Sequence, residues 1–133
     1  MSTLLGFDYG TAKIGVAVGQ TLTATASPLA TLRAVQQRPD WDAIARLIAD
    51  WQPSALVVGL PYNMDDSEAE VAPRARRFAR QLEGRYQLPV HLVDERLTSK
   101  EAATRLGRKP KRFEELDALA AKLILETWLS EQR

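Results

Sequence analysis

Cysteine is absent from all 133 residues of the chain. This absence excludes disulfide bonds, zinc sites built on thiolates and a cysteine nucleophile, and it is compatible with a reducing compartment. The amino terminus, MSTLLGF, has neither the basic segment nor the long apolar segment of a secretory signal. No stretch approaches the ~18 apolar residues that a membrane-spanning helix needs. We therefore expect a cytoplasmic protein that does not associate with membranes.

A large net charge and a disorder-prone composition are absent as well. The formal net charge is +1, and the hydrophobic content of 45% and the charged content of 26% are ordinary for a globular protein. A chain of this length can bury a core without disulfides or metals. Since no repeat, low-complexity tract or linker interrupts the chain, the sequence predicts one folded domain over residues 1–133.

Basic residues are concentrated in two segments, although the whole chain is nearly neutral. Between residues 96 and 112, seven basic residues accompany one acid, which gives a local charge of +6. Between residues 72 and 86, five arginines accompany one acid, which gives +4. A basic face of this kind is one signature of a protein that binds polyanions. Solvated helix faces have the same composition, so charge alone leaves both interpretations open.

The hydrophobic pattern predicts an α/β protein. Strands are predicted over residues 4–8, 13–18, 27–32, 55–60 and 89–93, and helices over about 41–51, 68–83, 101–106 and 113–130. The last two strands are continuous apolar runs, which is typical of strands buried on both faces of a parallel sheet. The order predicts a mixed five-stranded sheet, in which a three-strand antiparallel meander precedes two parallel strands and helices cover both faces.

Local signals define the ends of several elements. Gly10 is expected to take a positive φ in the tight turn between the first two strands. Asp40 is the expected N-cap of the first helix. Ser67 and Glu70 form a capping box for the second helix, which is expected to end at Gly84.

Carboxylates follow the three strands that are predicted to run parallel. Asp8 ends the first strand, Asp94 and Glu95 follow the fifth, and Asp65 and Asp66 lie in the loop after the fourth. The carboxyl ends of parallel strands open on one edge of the sheet, where the ligand sites of α/β sheets gather. Converging carboxylates repel each other unless a proton or a hard cation lies between them. The sequence therefore predicts a Mg²⁺ or Mn²⁺ site at this edge.

A further acid, Asp117, flanks the apolar stripe of the last helix. Its neighbours Ala118, Ala120 and Ala121 are small, which would let the helix pack closely on the sheet and bring Asp117 towards the same edge. The only histidine, His91, lies in an apolar strand and is expected to be structural rather than a general base.

Simpler structural roles remain open for all of these acids. Carboxylates also cap turns, form ion pairs and favour the first turn of a helix. In this interpretation Asp8 caps a turn, Asp94 and Glu95 pair with Arg96, and Asp65, Asp66 and Asp117 lie near helix starts.

The chain contains four segments, LLGFDYGTAKIGVAVG, VVGLPYNMDDS, VDERLTSKEA and ELDALAAKLILETWL, that together cover much of its length. In this order and spacing they resemble the YqgF family of Holliday-junction-resolvase-like proteins, also described as pre-16S ribosomal RNA nucleases. The similarity spans nearly the whole chain. It implies one ribonuclease-H-like nuclease domain, a cytoplasmic location and a divalent-metal nuclease acting on structured nucleic acid.

The resemblance also implies roles for individual residues. Matching the family's motifs assigns the catalytic and metal-binding acids to Asp8, Glu95 and Asp117, which would hold two Mg²⁺ or Mn²⁺ ions about 4 Å apart. A second set of residues would contact nucleic-acid phosphates and position the strand. These are Lys13, Arg96, Lys100, Lys109, Lys111 and Arg112.

The identity of the second acid stays open. The wider resolvase superfamily often carries it at the end of strand four, where this chain has Gly59, Leu60 and Pro61. Besides Glu95, the candidates for this role are Asp94, Asp65 and Asp66.

We therefore expect an endonuclease that processes the 5′ end of pre-16S ribosomal RNA or resolves branched DNA, as a monomer or a homodimer. A catalytically silent nucleic-acid-binding or ribosome-maturation factor is the alternative. The first segment also resembles the phosphate-binding segment of actin-like ATPases and sugar kinases. Those proteins bind nucleotide between two such domains, whereas 133 residues supply only one domain. An ATPase fragment is therefore the third and weakest hypothesis.

Overall fold

The computed structural model describes residues 2–36, 38–60, 71–94 and 113–132, with the backbone alone for residues 113–117. Within these ranges the strands are β1 (Thr3–Asp8), β2 (Lys13–Gln20), β3 (Thr25–Arg33), β4 (Ala55–Leu60) and β5 (Val90–Asp94), and the helices are α1 (Trp41–Trp51), α2 (Ala72–Tyr86) and α3 (Phe113–Glu131). Among these helices, none is long and apolar enough to cross a membrane. The predicted helix over 101–106 and the capping box of Ser67 and Glu70 lie outside the described residues.

The five strands form one mixed sheet in the order β3-β2-β1-β4-β5. β2 is antiparallel to both β1 and β3, whereas β4 runs parallel to β1 and β5 runs parallel to β4. The predicted meander followed by two parallel strands is thus confirmed. β1 is the central strand, and its carboxyl end opens on the same edge as the carboxyl ends of β4 and β5.

Helices cover both faces of the sheet. Side chains alternate along the buried central strand, so successive residues of β1 pack on helices of opposite faces. Leu5 and Phe7 belong to a buried cluster with Phe78 of α2, and α1 contributes to the same cluster. Leu4 belongs to a second buried cluster with Ile124 of α3. We call these two sides the α1–α2 face and the α3 face.

The ends of the first two helices test the local sequence signals. The Asp40 carboxylate accepts a hydrogen bond from the Ala43 backbone N–H at 3.1 Å, which confirms Asp40 as the N-cap of α1. The prediction that Gly84 ends α2 is wrong. The helix continues to Tyr86 and ends at Gln87, which takes the left-handed conformation with φ 54°. Packing of Tyr86 against the core outweighs the roughly 1 kcal/mol helix penalty of one glycine.

The fifth strand is an edge strand, and the prediction that both of its faces are buried is wrong. β4 is buried along its whole length, as its apolar run predicted. β5 has a similar run, but Val93 is its only buried residue and Leu92 is 41% exposed. Its place at the end of the strand order leaves one side without a partner among the described strands.

Candidate active site

Asp8 lies at the carboxyl end of the central strand, half-buried. Along β1, Leu4 packs on the α3 face and Leu5 and Phe7 pack on the α1–α2 face. Because side chains alternate, Asp8 shares the α3 face with Leu4 and Gly6. The fold therefore places the carboxylate at the carboxyl edge of the sheet, on the side that α3 covers.

The turn after Asp8 is tight, but not for the reason that the sequence suggested. Gly10 does not take a positive φ, so this prediction is wrong. A Cβ at this position would instead lie 2.6 Å from the carbonyl oxygen of Lys13, which leaves no room for any side chain. The close approach brings Lys13, the first residue of β2, to the same edge of the sheet as Asp8.

Glycines flank Asp8 on both neighbouring strands. The β1–β2 register pairs Asp8 with Gly15. The β1–β4 register pairs Phe7 with Val58, so its next step sets Asp8 beside Gly59. Facing residues of paired strands share a face, so both neighbours of Asp8 lack a side chain on the α3 face. Sequence reasoning missed this arrangement.

Helix α3 approaches β1 closely and points its first turns towards Asp8. A Cβ on Gly6 would lie 3.0 Å from the Leu125 Cβ and 3.2 Å from the Ala121 carbonyl oxygen. Leu125 also lies over Gly19, which pairs with Leu4 at the far end of β1. Going from residue 125 to 121 thus leads towards the carboxyl edge. The backbone of residue 117, four residues or about 6 Å further along the helix, continues in that direction.

The end of β5 lies at the same level as Asp8. The β4–β5 register pairs Gly59 with Val93, and two strand spacings of about 4.8 Å separate β5 from β1. Val93 belongs to the cluster on the α3 face, so alternation assigns Asp94 to the α1–α2 face. The geometry therefore disfavours Asp94 as a ligand shared with Asp8.

Several predicted site residues lie outside the described residues. Within the described ranges, no three or more His, Asp or Glu residues are grouped so that they could hold a metal. His91 stacks on Trp128, with ring centroids 4.6 Å apart, which agrees with its predicted structural role. The residues outside are Glu95, the Asp117 carboxylate, Asp65, Asp66, Arg96, Lys100, Lys109, Lys111 and Arg112.

Comparisons with known proteins agree with this architecture. A family model described as "RuvX: Holliday junction resolvase" matches residues 2–131. A relative from Azotobacter vinelandii is 53% identical over 133 residues, covering 97% of this chain and 94% of that protein. A relative from Pseudomonas putida is 52% identical over 131 residues, covering 95% and 93%. Both are named "Putative pre-16S rRNA nuclease".

Solved resolvase structures share the fold. T. thermophilus RuvC in complex with a Holliday junction substrate has a TM-score of 0.56 at 18% identity, covering 99% of this chain and 96% of that chain. Fowlpox virus resolvase, also solved with substrate Holliday junction DNA, has a TM-score of 0.64 at 10% identity, with 98% of each chain covered. The predicted ribonuclease-H-like fold is thus confirmed. The match over nearly the full length shows that this chain belongs to the RuvX Holliday junction resolvase family.

Proposed function

We propose that this chain is a metal-dependent endonuclease, one domain over residues 1–133, that hydrolyses phosphodiesters of structured nucleic acid. The observation that carries the proposal is the placement of Asp8. Its carboxylate stands at the carboxyl end of the central strand, between two glycines and on the face that α3 covers. Pre-16S ribosomal RNA is the first candidate substrate because the relatives at about 50% identity carry that name. It fits the cytoplasmic location predicted from the sequence.

The proposed ligand set for two Mg²⁺ or Mn²⁺ ions is Asp8, Glu95 and Asp117. Asp8 offers the hard oxygen donor that these cations prefer, and its neighbours on β2 and β4 are glycines. On β5, residues 91 and 93 lie on the α3 face, and this alternation is the reason to prefer Glu95 to Asp94. When bound, such ions supply an activated water and neutralise charge on the leaving oxygen.

The protein's own residues would orient the substrate. Lys13 lies at the same edge as Asp8 and would contact a phosphate beside the scissile bond. We assign the same role to the basic residues of the segment that follows β5. These are Arg96, Lys100, Lys109, Lys111 and Arg112. Phosphate contacts of this kind set the position of the strand without reading its bases. The chain would act as a monomer or as a homodimer.

Branched DNA is the second candidate substrate, favoured by the description of the family model. The test compares cleavage of precursor 16S ribosomal RNA and of a four-way DNA junction in Mg²⁺ or Mn²⁺. Asp8→Asn removes the charge at the proposed site, and Asp94→Asn makes the same change on the opposite face of the sheet. We expect Asp8→Asn to lower the rate on the order of 10²- to 10³-fold and Asp94→Asn to retain activity. Titration calorimetry with Mn²⁺ should show weakened binding for Asp8→Asn alone.

Each result separates the hypotheses. Equal cleavage by wild type and Asp8→Asn would remove Asp8 from the mechanism. Loss of activity in Asp94→Asn would make Asp94, rather than Glu95, the second acid. If wild type cleaves neither substrate, the endonuclease proposal fails and the silent binding factor replaces it.

A further inference from the structure

The α1–α2 face carries an arginine-rich pocket that the proposed active site does not use. Helix α2 contributes one stripe to it, at positions 74, 77, 81 and 85, which recur at helical spacing beside the buried stripe of the same helix. The segment before α1 forms the opposite wall. The pocket has a volume of about 580 Å³, and its lining consists of Tyr9, Gln36, Arg38, Pro39, Trp41, Arg74, Arg77, Gln81 and Arg85.

The charge of this lining has one sign. Four of its nine described residues are arginines and none is an aspartate or glutamate. Arg38, Arg74, Arg77 and Arg85 all have exposed side chains. Guanidinium groups bind phosphate oxygens in a bidentate manner and are always charged at neutral pH. An anion with several phosphate groups matches this chemistry.

Aromatic packing holds part of the pocket in place. The Arg85 guanidinium lies 4.0 Å from the centre of the Trp41 ring, an arrangement that favours a fixed cation. Trp41 in turn packs on Phe78, with ring centroids 5.6 Å apart, and Phe78 is buried in the core. The wall that presents Arg85 is thus anchored to the sheet. A preorganised cation loses less entropy when it binds a phosphate.

The pocket is continuous with the edge of the sheet that carries Asp8. Tyr9, the next residue after Asp8, lines the pocket and packs on Phe78 at 5.1 Å between ring centroids. The first turn of α2 lies at the same edge, because Ala72 packs on Leu60 at the end of β4. From Arg74 to Arg85 the stripe spans twelve residues, about 16 Å, and it runs away from that edge. A nucleic-acid strand that passes Asp8 can therefore continue along α2.

We propose that this pocket binds the phosphodiester backbone of a single-stranded segment that flanks the cleavage point. The inference rests on the proposed function for the identity of the substrate, but binding can be measured without cleavage. A concave site between two helices and a loop admits one strand, and arginines along its length offer a cation to successive phosphates. A free nucleotide presents the same phosphate chemistry, so the test includes one.

The experiment measures binding by fluorescence anisotropy in EDTA, where no metal-dependent cleavage occurs. The probes are a single-stranded RNA of about 12 nucleotides, DNA of the same sequence, the matching duplex and ADP as competitor. The test variant is Arg77→Ala/Arg85→Ala. The matched control is Arg46→Ala/Arg80→Ala, which removes two exposed arginines of α1 and α2 that do not line the pocket.

We expect the test variant to bind single strands at least about tenfold more weakly, since two charged hydrogen bonds to phosphate are lost. The slope of log K against log salt should fall by about 1.4, because each phosphate contact to a single strand contributes about 0.7. The control should retain the wild-type slope.

Three results would overturn the inference. The first is equal binding of single strands by the test and control variants, and the second is duplex binding that depends on Arg77 and Arg85 more than single-strand binding does. The third is saturable displacement of the single strand by ADP that is lost when only Arg77 and Arg85 are replaced. None of these results bears on cleavage by Asp8, which the active-site variants test separately.

Discussion

Replacing Gly6 by alanine tests whether the contact between β1 and α3 aligns the proposed active site. The new Cβ would lie 3.0 Å from the Leu125 Cβ and 3.2 Å from the Ala121 carbonyl oxygen. Carbon atoms prefer separations of about 3.5–4.0 Å, so α3 and β1 must move apart by a few tenths of an ångström. Overpacking of this kind typically costs about 1–3 kcal/mol, and the backbone oxygen prevents relief by a rotamer change.

The displacement should also affect cleavage. α3 carries Asp117, and β1 carries Asp8 two residues beyond Gly6. A misplacement of 1 Å can cost about 10²-fold in rate, so a displacement of a few tenths of an ångström predicts a loss of roughly three- to tenfold. A domain is typically stable by about 5–15 kcal/mol, so Gly6→Ala should remain folded. Urea unfolding followed by circular dichroism gives the stability, and single-turnover cleavage gives the rate.

Gly19→Ala is the matched control because it meets the same residue of α3 far from Asp8. Its Cβ would lie 2.8 Å from the Leu125 Cδ2, the end of a flexible side chain, and 3.1 Å from the Thr25 carbonyl oxygen. We expect it to lower stability and leave the cleavage rate near wild type. Wild-type stability in Gly6→Ala would refute the packing argument, and an equal rate loss in both variants would refute the alignment argument.

Most of the fold was predictable because its signals are local. The run of six apolar residues in β4 and the turn-separated strands of the amino-terminal hairpin carry their own periodicity. Chain order and the parallel crossover then fix the topology. β5 shows the limit of this reasoning. Its apolar run resembles that of β4, but its burial depends on which strands lie beside it, and that is a tertiary property.

The candidate site was predictable to the level of the sheet edge. The sequence places Asp8 at a strand end and predicts that parallel strands bring chain-distant acids together. It did not predict that Gly15 and Gly59 would flank Asp8, because that depends on the register of two strand pairs. The same limit applies to the arginine-rich pocket. The basic composition of α2 was evident, but the wall formed by Arg38 and Trp41 comes from a separate segment.

Two further variants test the described structure of α2. Gly84 lies inside the helix, and an added Cβ would meet nothing within 4 Å, so Gly84→Ala should raise the free energy of unfolding in urea by about 0.5–1 kcal/mol. No gain would mean that the helix frays before residue 84. Burial raises the pKa of Tyr86 above its usual 10.0, and the Asp42 carboxylate adds to this, although Arg85 opposes it. The folded protein thus holds the phenol proton more tightly than the unfolded chain, so the Tyr86 contribution is complete below about pH 10 and is lost as the pH rises through the folded pKa. Tyr86→Phe removes the ionisation, so the stability of wild type relative to the variant should fall as the pH rises above about 10. An unchanged difference would show that folding does not perturb this phenol.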